Sequence, residues 1–284
     1  MLKREEIRIR DPFVLADKAS GKYYLYGTTA LNADLSTRAS LSVYVSEDLE
    51  CFEEGIEVFD GKNFWADRDY WAPEVHIYNG KYYMFASFKS GEKHRATQIL
   101  VSDSPTGRFT PLTDEPVTPW DLECLDGTLW VENGVPYVIY CKEWVEIGDG
   151  EIYAQKLTAD LRNRLGEPKK LFSASENPYV KPFSDRGFAK CYVTDGPFLY
   201  RENGKLKMLW SSLSGGENYC VLEAYADGVE GEWKHNPVPV FDKDGGHAML
   251  FTDFSGKRRI AMHRPNVPPC ERAIFPDFDQ LKNR

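Results

Sequence analysis

A hairpin signal that returns five times constrains this chain more than any other feature. Its clearest copy runs Leu125-Asp126-Gly127-Thr128-Leu129-Trp130-Val131-Glu132, then Asn133-Gly134, then Val135-Pro136-Tyr137-Val138-Ile139-Tyr140. β-Branched and aromatic residues on both sides of an Asn-Gly pair predict two antiparallel strands joined by a tight turn. The other copies begin at Asp11, Ala72, Asp195 and Gly246, with Gly21-Lys22, Asn79-Gly80-Lys81, Asn203-Gly204-Lys205 and Ser255-Gly256-Lys257 at their turns. Third strands are predicted at residues 42–46, 97–102, 151–157 and 221–226, and fourth strands around Phe52, Phe109, Leu171 and Val240. Three to four antiparallel strands recurring every 50–70 residues or so match propeller blades better than a sandwich. The expected fold is therefore all-β, a five-bladed β-propeller forming one domain over residues 1–284. No apolar stripe at helical spacing supports an α/β alternative. Residues 173–192 read as a surface loop between blades three and four. The proline-rich tail after Asn266 reads as packing across the first blade to close the ring. Loops 30–40, 60–70 and 173–192 are expected to set the depth of any site.

Composition removes several functions. With 42% hydrophobic and 14% aromatic residues the chain can fill a large core, and its net charge of −9 argues against nucleic acid or an anionic membrane as partner. No apolar run approaches the roughly 20 residues that span a bilayer. Met1-Leu2-Lys3-Arg4-Glu5-Glu6 lacks the apolar core of a signal peptide, so a cytoplasmic location is expected. Cys51, Cys124, Cys141, Cys191, Cys220 and Cys270 are scattered, with no Cys-x-x-Cys pair. They read as reduced thiols, not as a zinc or redox site.

In a propeller the first strand of each blade lines the central channel, so the strand heads meet on one face. Those heads read as Asp11, Glu74, Asp126, Asp195 and His247. One carboxylate before a strand is usually a turn former. Four gathered round an axis cost free energy unless something binds there or their pKa values separate. The ends of the second strands return to the same face, bringing Thr28, Ser87, Phe88, Glu143, Trp144, Ser211 and His263 toward the channel mouth. Trp71 and Trp144 are candidate stacking platforms for a sugar ring, although inter-blade packing is the commoner fate of a tryptophan. Clustered carboxyl groups with aromatics suit glycoside hydrolysis, in which one carboxyl protonates the leaving oxygen and another activates water or attacks directly.

These motifs together resemble glycoside hydrolase family 43: Arg10-Asp11-Pro12, Tyr70-Trp71-Ala72-Pro73-Glu74, Leu125-Asp126-Gly127 and Gly245-Gly246-His247. The resemblance covers nearly the whole chain and implies an inverting arabinofuranosidase, arabinanase or β-xylosidase acting on a small glycoside or oligosaccharide. It implies that Asp11 is the general base and that Asp126 tunes and orients the acid. It also implies that His247 lies on the channel axis, where a calcium ion is bound in many members. Trp71, Glu74, Trp144 and His263 are the candidate substrate-binding residues. The chain departs from the pattern at Thr194-Asp195-Gly196-Pro197, where the family's general acid is a glutamate. A side chain one methylene shorter displaces its carboxyl by about 1 Å, enough to cost on the order of a hundredfold in rate. Three explanations stay open: Asp195 is the acid, Glu143 has taken over that role, or the protein binds sugars and hydrolyses them poorly. A sugar phosphorylase is the competing enzyme reading and would need a cationic cluster, for which Arg186, Lys190 and Arg264 are the candidates. A non-catalytic carbohydrate-binding propeller is the third reading.

Overall fold

Three Asn-Gly pairs adopt the backbone their chemistry permits. Asn79-Gly80, Asn133-Gly134 and Asn203-Gly204 have φ values of 47° and 77°, 51° and 80°, and 51° and 76°. Positive φ at both central residues matches the type I′ turn, whose twist suits the flanking strands. Tyr78 pairs with Lys81, Glu132 with Val135 and Glu202 with Lys205, so each loop is two residues long.

The computed structural model describes residues 1–29, 40–215 and 218–282. Of the loop expected at 30–40, all but Ser40 lies outside the described residues. The five hairpins each nucleate an antiparallel sheet. Blade one contains Arg10–Asp17, Lys22–Thr28, Leu41–Ser46 and Cys51–Phe52, with Leu2–Lys3 added outside and Ile56–Phe59 also paired to the third strand. Blade two contains Arg68–Tyr78, Lys81–Lys89, Ala96–Ser102 and Thr110–Pro111. Blade three contains Cys124–Glu132, Val135–Lys142, Glu151–Leu157 and Arg164–Ser173. Blade four contains Asp195–Glu202, Lys205–Leu213, Tyr219–Ala226 and Lys234–His235. Blade five contains Gly246–Thr252, Arg258–Arg264 and Arg272–Ile274.

Both faces of each blade meet a neighbour, which is why the second strands read as near-continuous apolar runs. In Lys81–Lys89 every residue from Tyr83 to Phe88 is buried. Four apolar clusters fill the spaces between blades. Tyr26 and Phe52 meet Met84 and Phe88 between blades one and two, and Phe172 meets Trp210 between blades three and four. Phe85 meets Tyr140 between blades two and three, and Leu209 meets Ile260 between blades four and five.

Three expectations require correction. The tail does not lie across the first blade. Arg272–Ile274 is the outer strand of blade five, supplying the strand that blade's own hairpin lacks. The tail meets blade one through Ala273 and Phe275, which join that blade's apolar cluster, and through Glu271, whose carboxylate pairs with Arg8 at 3.0 Å and Arg10 at 3.1 Å and whose carbonyl accepts the Ile9 N–H. The stretch 173–192 is not an irregular loop, because it carries a 3-10 turn at Ala174–Glu176 and a hairpin of Phe183–Asp185 with Phe188–Cys191. The outer strand of blade four is Lys234–His235, while the chain near Val240 adds only a single bridge from Phe241 to Val221.

Candidate active site

Each innermost strand loses register with its partner at the same point. The residues skipped are Asp11-Pro12, Ala72-Pro73, Asp126-Gly127, Gly196-Pro197 and His247-Ala248. The first residue of each pair is left-handed, with φ of 52°, 47°, 56°, 51° and 52° in that order. A bulge re-aims its side chain, and strained backbone of this kind concentrates at functional sites. The bulges also correct the alignment of the blade heads. Asp11, Asp126 and His247 are equivalent, but their counterparts in blades two and four are Ala72 and Gly196. Asp195 stands one residue earlier, level with Arg10, Trp71 and Leu125, and Glu74 two residues later, level with Phe13 and Thr128. Acidic residues alone do not mark where the kink falls.

The bulged N–H groups bind the ring together. Ala72 N–H donates to Thr28 Oγ1 at 2.8 Å, Asp126 N–H to Ser87 Oγ at 2.9 Å and His247 N–H to Ser211 Oγ at 2.8 Å. Asp11 N–H donates to His263 Nδ1 at 3.2 Å. Each bond reaches the second strand of the preceding blade. At the junction of blades three and four the matching residue is Cys141, and Gly196 N–H donates instead to Asp126 Oδ2 at 2.9 Å. His263 is pushed down to about 4, chiefly by burial, so its ring is neutral near pH 7. With Nδ1 accepting, Nε2 carries the proton and donates to Asn266 Oδ1 at 3.1 Å.

The carboxyl groups of the ring are driven apart. Burial works to raise Asp11, but His247, Arg10, His263 and the Thr28 hydroxyl outweigh it and hold this carboxyl below its ordinary value. Thr28 donates to Asp11 Oδ2 at 2.7 Å, and His247 Nδ1 lies 3.2 Å from Oδ1. Asp126 is pushed far upward by burial and by the charge of Asp11, against the Gly196 N–H. Asp195 is raised to about 7 by burial and by Asp126, against His247 and a hydrogen bond from Tyr219.

Glu143 has a different setting. It precedes the short helix Trp144–Ile147 and forms an ion pair with Arg95. Burial raises its pKa and Arg95 works against that rise. Arg95 is itself buried, pairs with Asp69 at 2.8 Å and lies 4.1 Å over the Trp71 ring. A carboxylate held this closely by a guanidinium is poorly placed to deliver a proton.

A cavity of about 980 Å3 opens over these groups. It brings together Asp11, Asp126, Glu143, Asp195, Trp71, Trp144 and His247. Glu74 and His263 do not line it. Glu74 hydrogen-bonds His76 at 3.1 Å within the channel, and His263 is buried beneath Tyr219, whose ring stacks on it at 5.5 Å. Ser87 and Ser211 lie under the floor as hydrogen-bond acceptors, and Phe88 is wholly in the core. Several lining residues escaped sequence reasoning. Tyr219 opens a third strand and carries no motif. Phe183 belongs to the unexpected hairpin and meets Trp144 edge to face at 4.9 Å. None of residues 60–70 lines the cavity. Arg186, Lys190 and Arg264 do not line it either; Arg8 and Arg10 do, and both are paired to Glu271.

The family model for glycosyl hydrolases family 43 matches residues 6–275. The chain belongs to glycosyl hydrolase family 43. Among solved structures, an endo-arabinase from Bacteroides thetaiotaomicron VPI-5482 superimposes on this family-43 chain with a TM-score of 0.89 at 41% identity, over 98% of this chain and 96% of that one. A thermostable family-43 glycoside hydrolase superimposes with a TM-score of 0.76 at 26% identity, over 93% and 87% of the two chains. An extracellular exo-α-(1→5)-L-arabinofuranosidase of Streptomyces chartreusis is 25% identical over 183 residues, and α-L-arabinofuranosidase 43 of Humicola insolens 24% identical over 192. Each alignment takes in 60% of this chain, but only 52% and 36% of those two relatives, so the chain spans about half of one and little over a third of the other.

The calcium ion implied by the family resemblance finds a thin donor set. Calcium prefers six to eight oxygen ligands. On the axis His247 offers an imidazole whose Nδ1 already faces Asp11. The one cluster of three His, Cys, Asp or Glu donors among the described residues is His94, Glu123 and Glu146, away from the channel. The residues at His247 do not fit a protein-held calcium, and no step of the reaction is derived through one.

Proposed function

We propose that this family-43 protein is an inverting glycosidase that removes arabinofuranosyl residues from the ends of short α-L-arabino-oligosaccharides. The observation that carries the mechanism is the separation of two carboxyl groups lining one cavity. Asp11 is held below its ordinary pKa, and Asp195 is lifted to about 7. A pair of carboxyls whose environments push them apart divides naturally into base and acid. Asp11 is ionised at neutral pH and takes a proton from the attacking water. Asp195 retains its proton up to about pH 7 and gives it to the leaving oxygen. Asp126, buried beside it, is one of the neighbours that keep the Asp195 pKa up. Glu143, committed to Arg95, binds substrate beside the Trp71 face.

Arabinose linkages are favoured because the relatives at 41% and 25% identity are an endo-arabinase and an exo-α-(1→5)-L-arabinofuranosidase. The cavity volume lies at the upper end of small-molecule sites, about 300–1,000 Å3, which accommodates an oligosaccharide better than a single ring. The test is proton NMR of the first product released from reduced α-1,5-arabinotriose. Inversion releases β-arabinose first, and Asp11→Asn lowers the rate by about 10²–10⁴-fold. Release of α-arabinose first, or no hydrolysis of any arabinoside, overturns the reading.

A further inference from the structure

Four of the five blade junctions are held alike: a bulged N–H donates to a hydroxyl or imidazole on the preceding blade. The junction between blades three and four has Cys141 at the acceptor position, and its donor, Gly196 N–H, reaches Asp126 instead. A thiol sulfur is a weak acceptor. We propose that the Gly196 N–H is the positioning group for the Asp126 carboxylate, and that Cys141 leaves it free for this task by withholding the hydroxyl present at the neighbouring junctions. This rests on the reading above, in which Asp126 serves the reaction.

The geometry leaves Asp126 one adjustable part. Its own N–H is tied to Ser87 Oγ at 2.9 Å, and the next N–H, of Gly127, to Thr97 Oγ1 at 3.0 Å. The backbone is therefore fixed on both sides and the carboxylate is not. Oδ2 has the Gly196 N–H at 2.9 Å and His247 Nδ1 at the longer distance of 3.8 Å. One backbone donor thus decides where that oxygen points. Only a glycine fits where this donor sits, because Gly196 has φ of 51° and a Cβ there would meet His247 Cγ at 2.8 Å. Cys141 is completely buried, and both Asp126 and Asp195 act on its thiol, so it belongs to this cluster and not to the apolar core alone. Three of the four intact junctions show what a hydroxyl does here: Thr28, Ser87 and Ser211 each accept the bulged N–H.

Cys141→Ser supplies such an acceptor in nearly the same volume, and Cys141→Ala removes the thiol without supplying one. With an arabinoside that the wild type cleaves, Cys141→Ser is expected to lower kcat by about tenfold with KM within twofold, since the hydrogen bond that orients the Asp126 carboxyl is lost. Cys141→Ala keeps kcat well above that of Cys141→Ser. In protein labelled with 15N-glycine, the Gly196 amide proton moves upfield in Cys141→Ser alone, as its acceptor changes from the Asp126 carboxyl to a hydroxyl. In an Asp126→Asn background Cys141→Ser brings no further loss, as coupled positions require. Equal kcat in the two Cys141 variants, a larger loss in Cys141→Ala, or an unmoved Gly196 amide overturns the proposal. If the wild type cleaves no arabinoside, the functional reading fails separately, and the amide shift still decides whether the contact is switched.

Discussion

Tyr219 donates its hydroxyl to Asp195 Oδ2 at 3.0 Å, while its ring stacks on His263, the acceptor for the Asp11 N–H. One side chain thus touches the proposed acid directly and the support of the proposed base. The bond favours ionised Asp195 and opposes the burial that raises it. Tyr219→Phe therefore moves Asp195 further above about 7, and the alkaline limb of kcat/KM shifts to higher pH. A pH–rate profile in which that limb stays in place or moves down would contradict the assignment of Asp195 as acid.

Leaving-group dependence separates the two acid candidates. Asp195→Asn is expected to lose about 10²–10⁴-fold on aryl arabinosides with poor leaving groups and little on those with good ones, because only the former need a proton. Glu143→Gln loses affinity by a similar factor across the series. The measurement is a plot of log kcat against leaving-group pKa for both variants and the wild type. A steepened slope in Glu143→Gln with an unchanged slope in Asp195→Asn would reverse the roles.

Arg95 holds a wall of the cavity through Glu143 and the face of Trp71, and also pairs with Asp69 and Glu123. Removing one partner of a buried pair leaves an uncompensated charge, so Arg95→Ala should lower stability by about 3–5 kcal/mol. It should also raise KM more than it lowers kcat, since the losses fall on substrate contacts. Arg95→Lys recovers little, because an ammonium cannot match the planar fork or the stacking. Denaturant melts and Michaelis parameters for the two variants check both claims.

The seam between blades five and one depends on Glu271, fully buried and paired with Arg8 and Arg10. Burial works to raise this carboxyl, but its own backbone N–H and bonds from Arg8 and Arg10 bring it below its ordinary value. A depressed folded pKa means stability present above the unfolded value of about 4.3 and lost as pH falls. Glu271→Gln should therefore lower Tm at pH 7, with the gap to wild type closing below about pH 4. A gap that is constant from pH 7 to pH 3 would remove the ion pairs from the account.

Much of the architecture was legible because the signals were local. Asn-Gly turns and alternating strands declare a hairpin whatever surrounds it, and five copies declare a ring. Asp11, Asp126 and His247 were legible for the same reason, since each occupies the equivalent bulge. What sequence could not locate was the bulge itself, so Glu74 and Asp195 were aligned one or two residues out of step. Nor could it find Tyr219 or Arg95, whose roles come from contacts with blades distant in sequence. The hairpin at Phe183–Cys191 was hidden by its two short strands, with few residues to show an alternating pattern. The departure from the family glutamate at Asp195 was visible in sequence, but the Arg95 partner that weakens Glu143 as a substitute was not.

The outer strand of blade five comes from the end of the fold, and no strand is shared between blades five and one. Every other neighbouring pair of blades is joined by continuous chain; this pair is held by packing and side-chain and backbone contacts, among them the bond to Ile9, the Asp11–His263 bond and the Glu271 ion pairs. The propeller is thus a hoop with a single clasp. Arg10 forms part of that clasp and is followed directly by Asp11. Protonating Glu271 would loosen the hoop beside the proposed base, so acid should unseat that residue before it unfolds the remaining blades.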